Sequence, residues 1–496
     1  MTLLQRRRGT RGDAMRQIIH NRLSRRRFTL SVAAAAAMSL SALLPAPAAH
    51  AQQPPPAAQA AEKPDMVIML ADDLGLLDTG AYGNREVRTP NIDRLAQEGQ
   101  TYDRAFVASP ACAPSRGALL TGLMPARNGA EPNHGAVHSW VKKMPAYLQE
   151  QGYQVVSFGK VAHYEQVKRY GFDHYEHFTF HDDEAVEAAV RWLKERDDPR
   201  PLALFVGSNW PHVPWPKTTE GYDPDAVSLP EKSIDTPLTR DARARFYAAV
   251  SRLDTEVGKV LDASEAILGD DTFYLFTSDH GTQWPFGKWN LYDTGTQVPM
   301  IVRWPGATQP GSRTDAMVSW VDILPTLVDV AGGEAPDDLD GRSFIPLVRG
   351  ETDEARSEIF TTHTNDGKVN VFPMRSIRTD RWKYIRNQHP DWVYTTHIDQ
   401  FGKRVDSGAY FLSWVDAAET DARAKEIVDD YYNRPAEELY DLQADPAEKR
   451  NLADDPRYAD VLKDLRSRLD AWQTQQGDTM RLHAPPHLTR EQTVTK

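Results

Sequence analysis

Four short apolar runs punctuate the chain, and each ends on polar or charged side chains. "DMVIML" (Asp65 to Leu70) runs straight into Asp72 and Asp73, and "VVSFG" (Val155 to Gly159) leads to Lys160 and His163. "LALFVGSNW" (Leu202 to Trp210) leads to His212, and "TFYLFTS" (Thr272 to Ser278) leads to Asp279, His280 and Gly281. Unbroken apolar stretches of this length predict strands buried on both faces of a parallel sheet. Helical periodicity separates them in "TPNIDRLAQEG", "MPAYLQEQGY", "EAVEAAVRWLKER", "TRDARARFYAAVSRLDTEVGKVLDASEAI" and "VSWVDILPTLVDVAGG".

Past about residue 350 the pattern changes. "FPMRSIRTDRWKYIRN" predicts an antiparallel hairpin, and "EELYDLQADPAEKRNLADDPRYADVLKDLRSRLDAWQ" predicts a strand, a loop and a closing amphipathic helix. The fold class expected is therefore α/β: a large, mostly parallel sheet sandwiched by helices over residues 64–350. A smaller α+β domain over 351–480, with an antiparallel sheet and the closing helix, follows it, and residues 481–496 form a tail.

Composition changes this picture mainly at the N-terminus. The 496 residues are 40% hydrophobic and 26% charged, an ordinary globular balance. In residues 1–51, however, "SRRRFTL" (Ser24 to Leu30) precedes an alanine-rich apolar stretch and a small-x-small pattern before Gln52. That order predicts an export signal of the twin-arginine type and hence a periplasmic or secreted protein, with residues 52–63 as a Pro- and Ala-rich linker. The apolar stretch from Phe28 to Leu44 is short for a span and no stop-transfer pattern follows, so no stable membrane anchor is expected. Residues 1–51 hold nine of the 58 basic and one of the 70 acidic side chains, which leaves 49 against 69, a formal charge of −20. Such a surface argues against nucleic acid as a partner and against a broad groove for any long polyanion. Nothing in the sequence excludes a homo-oligomer.

The candidate chemistry starts from Cys112, the one cysteine of the chain. It cannot form an intramolecular disulfide, and a lone free cysteine ordinarily serves as a small buried hydrophobe. Its setting, "SPACAPSRGALLTG", puts Arg116 four residues on, about one helical turn away, so that both can face one site. Asp72, Asp73 and Asp279 with His280 would stand at two strand ends, where ligand sites of open α/β sheets gather. Mainly hard oxygen ligands of this kind suit Ca²⁺, or Mg²⁺, better than zinc. Alone, an Asp-Asp pair after a strand is a turn or a helix cap.

"CAPSRGALLTG" resembles the signature of the type I sulfatases of the alkaline phosphatase superfamily. The resemblance implies that Cys112 is converted by a maturation enzyme to Cα-formylglycine. The aldehyde hydrates, one hydroxyl attacks the sulfur of a sulfate ester or sulfamate, and the other expels sulfate. It further implies that Asp72, Asp73, Asp279, His280 and residue 112 bind calcium. Many members carry Asn where this chain has His280; the iduronate-sulfatase branch carries His. Arg116, Lys160 and Lys288 would then hold the sulfate charge, His163 would hydrogen-bond the diol, and His212 would be the general acid. Lys160 and His163 are spaced K-x-x-H, again as in the iduronate branch.

"PMRSIR", "YYNRPAEELYDL" and "NLADDPRYADVL", with Asn128, Gly129, His134 and His138 soon after the signature, resemble most the N-sulfoglucosamine sulfohydrolase branch. "THTNDGKVNVFPMR" supplies His363, Asn365 and Asp366 near the expected sugar pocket, without the His-Glu pair sought there. His134, His138, His363 and Asn365 are thus candidate substrate contacts, with loop hydrogen bonding as the alternative. The substrate implied is a sulfated small molecule or short oligosaccharide. Two rivals stand beside it: a phosphonate or phosphodiester hydrolase using the same formylglycine, and a sulfated-glycan-binding protein in which Cys112 stays a thiol.

Overall fold

A computed structural model describes residues 63–177, 184–400 and 408–486. The expected export signal, almost all of the linker and the end of the tail lie outside the described residues. Residues 61–496 form one compact unit, and no helix among the described residues is long and apolar enough to cross a membrane.

The larger sheet has eight strands in the order β4-β3-β5-β1-β6-β7-β2-β8. In chain order these are β1 Met66–Asp72, β2 Gln100–Phe106, β3 Gln154–Gly159, β4 His174–Glu176, β5 Leu202–Pro211, β6 Phe273–Ser278, β7 Gln297–Arg303 and β8 Ser312–Ser319. β1 sits at the centre, every residue buried, parallel to β5 on one side and β6 on the other. That double burial is why its sequence reads as one continuous apolar run. Only β7 is antiparallel to its neighbours, β6 and β2. The chain turns back through the loop carrying His280 and Lys288 instead of crossing over through a long helix.

Helices cover the sheet as the periodicity predicts. The longest, Pro237–Ile267, starts with Pro at its first position after Thr236, whose side chain accepts from the Thr239 amide at 3.1 Å. The second sheet is antiparallel, in the order β12-β11-β10-β9. Its strands are β9 Ile359–Asp366, β10 Asn370–Arg378, β11 Trp382–Asn387 and β12 Glu437–Asp441. The closing helix Ala459–Gln476 packs Leu462, Leu465 and Leu469 on Ile377, Tyr384 and Leu439 of this sheet, and Trp472 stacks on Phe360 at 4.6 Å. Thr362 on β9 donates its amide to the Ala108 carbonyl at 3.0 Å, which ties the second sheet to the segment just ahead of Cys112.

Candidate active site

The carboxyl ends of β3, β5, β1 and β6, four neighbouring strands, deliver the candidate residues to one place. Asp72 closes β1, and Asp73 follows in the left-handed region at φ 69°. The two central strand ends are stitched together: the Asp73 amide donates to Asp279 Oδ1 at 3.1 Å, and the Leu74 amide to Ser278 Oγ at 2.9 Å. β3 and β5 approach so closely at Gly159 and Gly207 that a Cβ on Gly207 would lie 2.2 Å from the Lys160 carbonyl carbon and oxygen. Lys160 is thereby held against the sheet.

Cys112 opens the helix Cys112–Leu119, all eight residues of which are buried. Its sulfur lies 3.3 Å from His280 Nε2 and 3.7 Å from both Asp72 Oδ1 and Lys160 Nζ. Arg116, one turn further, donates from Nε to Asp279 Oδ2 at 2.9 Å, from Nη2 to Asp72 Oδ1 at 3.3 Å, and from Nη1 to the Lys160 carbonyl. It thus clamps the carboxylates directly, a more specific placement than the sulfate contact implied for it. Lys160 pairs with Asp72. Lys288 donates to both Asp73 oxygens at 2.8 and 3.0 Å, and His212 Nε2 lies 3.8 Å from Asp73 Oδ2.

The electrostatics show a site crowded with negative charge. Burial and the neighbouring Asp72 and Asp279 push Asp73 up to about 7 against the opposing pull of Lys288. Burial works on Asp72 too, but Lys160, His212 and Arg116 overcome it and hold that carboxyl well below its ordinary range. Burial also pushes the Cys112 thiol up, so the unmodified side chain is a poor nucleophile at neutral pH. His280 is pushed down to about 4, chiefly by burial. Its Nδ1 faces the Gly281 carbonyl at 3.0 Å, which puts the hydrogen on Nδ1 and leaves Nε2 a bare ligand nitrogen.

Donor atoms of Asp72, Cys112, Asp279 and His280 all lie within 4.8 Å of one another, and Asp73, Cys112 and His212 form an overlapping group. Three buried carboxylates and a neutral imidazole fit a hard divalent cation, and the raised Asp73 is the charge strain that such a cation would relieve.

Of the four candidate substrate contacts, only His134 joins the cluster. Its Nδ1 lies 2.8 Å from His163 Nε2, and its Nε2 lies 3.3 Å from Asp366 Oδ1. His138 stacks instead on the exposed ring of Trp140 at 5.2 Å. His363 is buried against Asn370 Oδ1 at 2.5 Å, and Asn365 Nδ2 is spent on the Gly367 carbonyl at 3.0 Å. Sequence reasoning placed Asp366 near the expected sugar pocket but left it out of the candidate contacts, and it did not single out Asn133 or Trp289. Asp366 Oδ2 accepts from Asn133 Nδ2 at 2.8 Å and Trp289 Nε1 at 2.9 Å, while Asn133 Oδ1 accepts from the Ala113 amide beside Cys112 at 2.9 Å. The available signal was "TTHTND", a polar run at strand length, every residue of which β9 buries.

A mostly parallel sheet with an oxygen-rich pocket, two lysines and a cysteine-headed helix gathered at its carboxyl edge defines the alkaline phosphatase-like class. Within it, the family model described as Sulfatase matches residues 64–333, and that described as N-sulphoglucosamine sulphohydrolase, C-terminal, matches residues 279–397. The chain belongs to the sulfatase family and is a sulfuric ester hydrolase. It is 33% identical over 429 residues to an ulvan-active sulfatase of Formosa agariphila, covering 84% of this chain and 82% of the relative. It is 30% identical over 465 residues to human N-sulphoglucosamine sulphohydrolase, covering 83% and 90%. A solved structure in complex with its substrate D-glucosamine-2-N,6-O-disulfate superposes with a TM-score of 0.64 at 20% identity, over 84% of this chain and 99% of that one, a likeness of fold.

Proposed function

We propose that this sulfatase releases sulfate from a short sulfated sugar, as an ester or a sulfamate, with residue 112 in its formylglycine form and a divalent cation at Asp72, Asp73, Asp279 and His280. The observation that carries the reading is the meeting of Cys112 Sγ with Asp72, Lys160 and His280 at 3.3 to 3.7 Å in a buried pocket. Calcium would supply charge neutralisation and orientation for sulfate oxygens, and formylglycine a hydroxyl nucleophile that the buried thiol cannot match. Lys160 and Lys288 hold positive charge where sulfate oxygens must sit, and Arg116 fixes the carboxylates around them.

His212 stands across from Asp73 as the acid for the leaving atom. Burial, followed by Lys288, pushes its proton affinity well below the ordinary histidine range. An arriving sulfate adds the negative charge that restores the proton at this site. The relatives' names differ in the sugar they act on: the human one carries N-sulphoglucosamine in its name, the bacterial one ulvan. The match to an N-sulphoglucosamine sulphohydrolase C-terminal model favours a glucosamine N-sulfate. With the export signal read over residues 1–51, the enzyme would work outside the cytoplasm on substrate that reaches it there.

The deciding experiment is the mass of the tryptic peptide "AFVASPACAPSR" from the native host, beside sulfate release from glucosamine N-sulfate and from O-sulfated sugars. The expected peptide is lighter by the difference between a CH₂SH group and an aldehyde. An intact thiol on protein that releases sulfate from none of them would sink the proposal.

A further inference from the structure

We propose that His397 is a specificity-determining contact that hydrogen-bonds a hydroxyl of the sugar whose sulfate group lies at Lys288. The inference rests on the sulfated-sugar reading above and names a residue outside the nucleophile, cation and sulfate-holding groups.

A line of side chains leads from the buried centre of the site toward solvent. Asp73 pairs with Lys288, Lys288 Nζ lies 5.1 Å from the centre of the Trp289 ring, and Trp289 stacks on His397 at 5.1 Å with the planes 15° apart. The side chains of Asp73 and Lys288 are 1% and 2% exposed, whereas that of His397 is 30% exposed. The opposite flank makes the same step, from buried His163 to exposed His134. The two open imidazoles bracket one carboxylate: His134 Nε2 is 3.3 Å from Asp366 Oδ1, and His397 Nδ1 is 3.9 Å from Asp366 Oδ2. This bracket is the mouth of the site. A sulfate drawn in to Lys160 and Lys288 leaves its sugar on the solvent side, one indole away from Lys288, where His397 stands.

Both rings of the stack are fixed before substrate arrives. Trp289 has a left-handed backbone at φ 67°, costly for so large a side chain. Its amide donates to the Pro110 carbonyl at 2.8 Å and its Nε1 to Asp366 Oδ2 at 2.9 Å, which hold it there. His397 opens the short helix His397–Gln400, pinned by the Thr396 amide on Asp399 Oδ1 at 2.6 Å and the Ile398 amide on Thr396 Oγ1 at 3.1 Å. A ring held in this way loses little freedom on binding, so less of a hydrogen bond's gain goes into ordering it.

The chemistry of this edge suits a hydroxyl. Burial pushes the proton affinity of His397 down; Asp366 opposes that push, and Lys288 and His134 add to it. A neutral imidazole offers one N–H and one lone pair, and a hydroxyl can meet either. A second sulfate here would face Asp366. Burial would neutralise that carboxyl, but His134, His397 and Asn133 hold it well below the usual carboxylate range, and its charge disfavours another anion.

The test is calorimetric binding to full-length protein at neutral pH, with glucosamine N-sulfate and inorganic sulfate as probes. Sulfate alone fills the lysine pocket and has no sugar to reach the mouth. In His397→Ala the Kd of glucosamine N-sulfate should rise about tenfold, the loss of one hydrogen bond, while that of sulfate stays within about threefold. His397→Gln keeps a donor and an acceptor and should recover most of the loss. On matured enzyme, the fall in kcat/KM for the sugar should lie mainly in KM. Equal weakening for both probes would mean that the ring only props Trp289 and Lys288, and this overturns the assignment. An unchanged sugar affinity, a Gln variant no better than Ala, or a wild type that binds sulfate but not the sugar overturns it as well. Protein that binds the sugar through His397 yet, once matured, releases no sulfate from it defeats the functional reading and leaves the contact standing.

Discussion

Replacing Gly207 by Ala tests how tightly Lys160 must be placed. Gly207 lies on β5, paired with Gly159 of β3 on one side and Leu70 of β1 on the other. An added Cβ would stand 2.2 Å from the Lys160 carbonyl carbon and oxygen and 2.7 Å from the Val161 amide nitrogen. Ordinary contact begins near 3.4 Å, so the Lys160 backbone must retreat by about 1.2 Å, the difference between 3.4 and 2.2. The clash is backbone against Cβ, with no flexible side chain to swing aside. Retreat is opposed on two sides: the Lys160 amide donates to the Gly207 carbonyl at 2.8 Å, and the Lys160 carbonyl accepts from Arg116. Overpacking of this kind costs about 1–3 kcal/mol, and a shift of about 1 Å in a positioning residue costs on the order of 10²-fold in rate. Gly207→Ala is therefore expected to fold with a melting temperature a few degrees lower and to turn over an aryl sulfate at least about 10²-fold more slowly. Gly269→Ala, whose Cβ would meet nothing within 4 Å, is the control and should match the wild type. Wild-type melting and a kcat within about threefold in Gly207→Ala would refute the reasoning.

Chelation followed by gel filtration is expected to abolish sulfate release and lower the melting temperature, and calcium at about 100 times its Kd should return about 2.7 kcal/mol of stability. Full activity in protein shown metal-free by elemental analysis would contradict this. Asp293 is held down to about 2 because Lys383 and Arg378 outweigh the cost of its burial. Its folded value lies below its unfolded one of about 3.9, so its stabilisation is complete above that pH and fades as pH falls toward the folded value. Asp293→Asn should melt lower than the wild type at neutral pH, by an amount on the order of 1–3 kcal/mol, and the gap should close in acid. A gap independent of pH would count against the assignment.

Sequence reached the parts of this structure that leave a local trace. β1, β3, β5 and β6 are buried on both faces, so their apolar runs are unbroken and their polar ends mark the carboxyl edge at once. Cys112, Arg116 and the strand-end aspartates follow from the same reading, because each sits within a few residues of an element boundary. β2 "QTYDRAF" and β8 "SRTDAMVS" mix charges with apolar residues, since part of each is only half-buried or exposed, and neither pattern stands out. The polar run "TTHTND" marks the neighbourhood of Asp366 but not its partners. Its partner Asn133 lies 233 positions away along the chain, and no local motif links the two. Only the docking of β9 on the Ala108 segment, through the Thr362 amide, brings the carboxylate to His134.

The burial of Cys112, which is 2% exposed, also sets an order of events. Under the formylglycine proposal an oxidising enzyme would have to reach this side chain, and the folded pocket leaves it no opening. The proposed conversion would then have to be complete before the pocket closes. After that, the same walls would shield the aldehyde from stray amines and thiols, and a chain that folded first would keep its thiol.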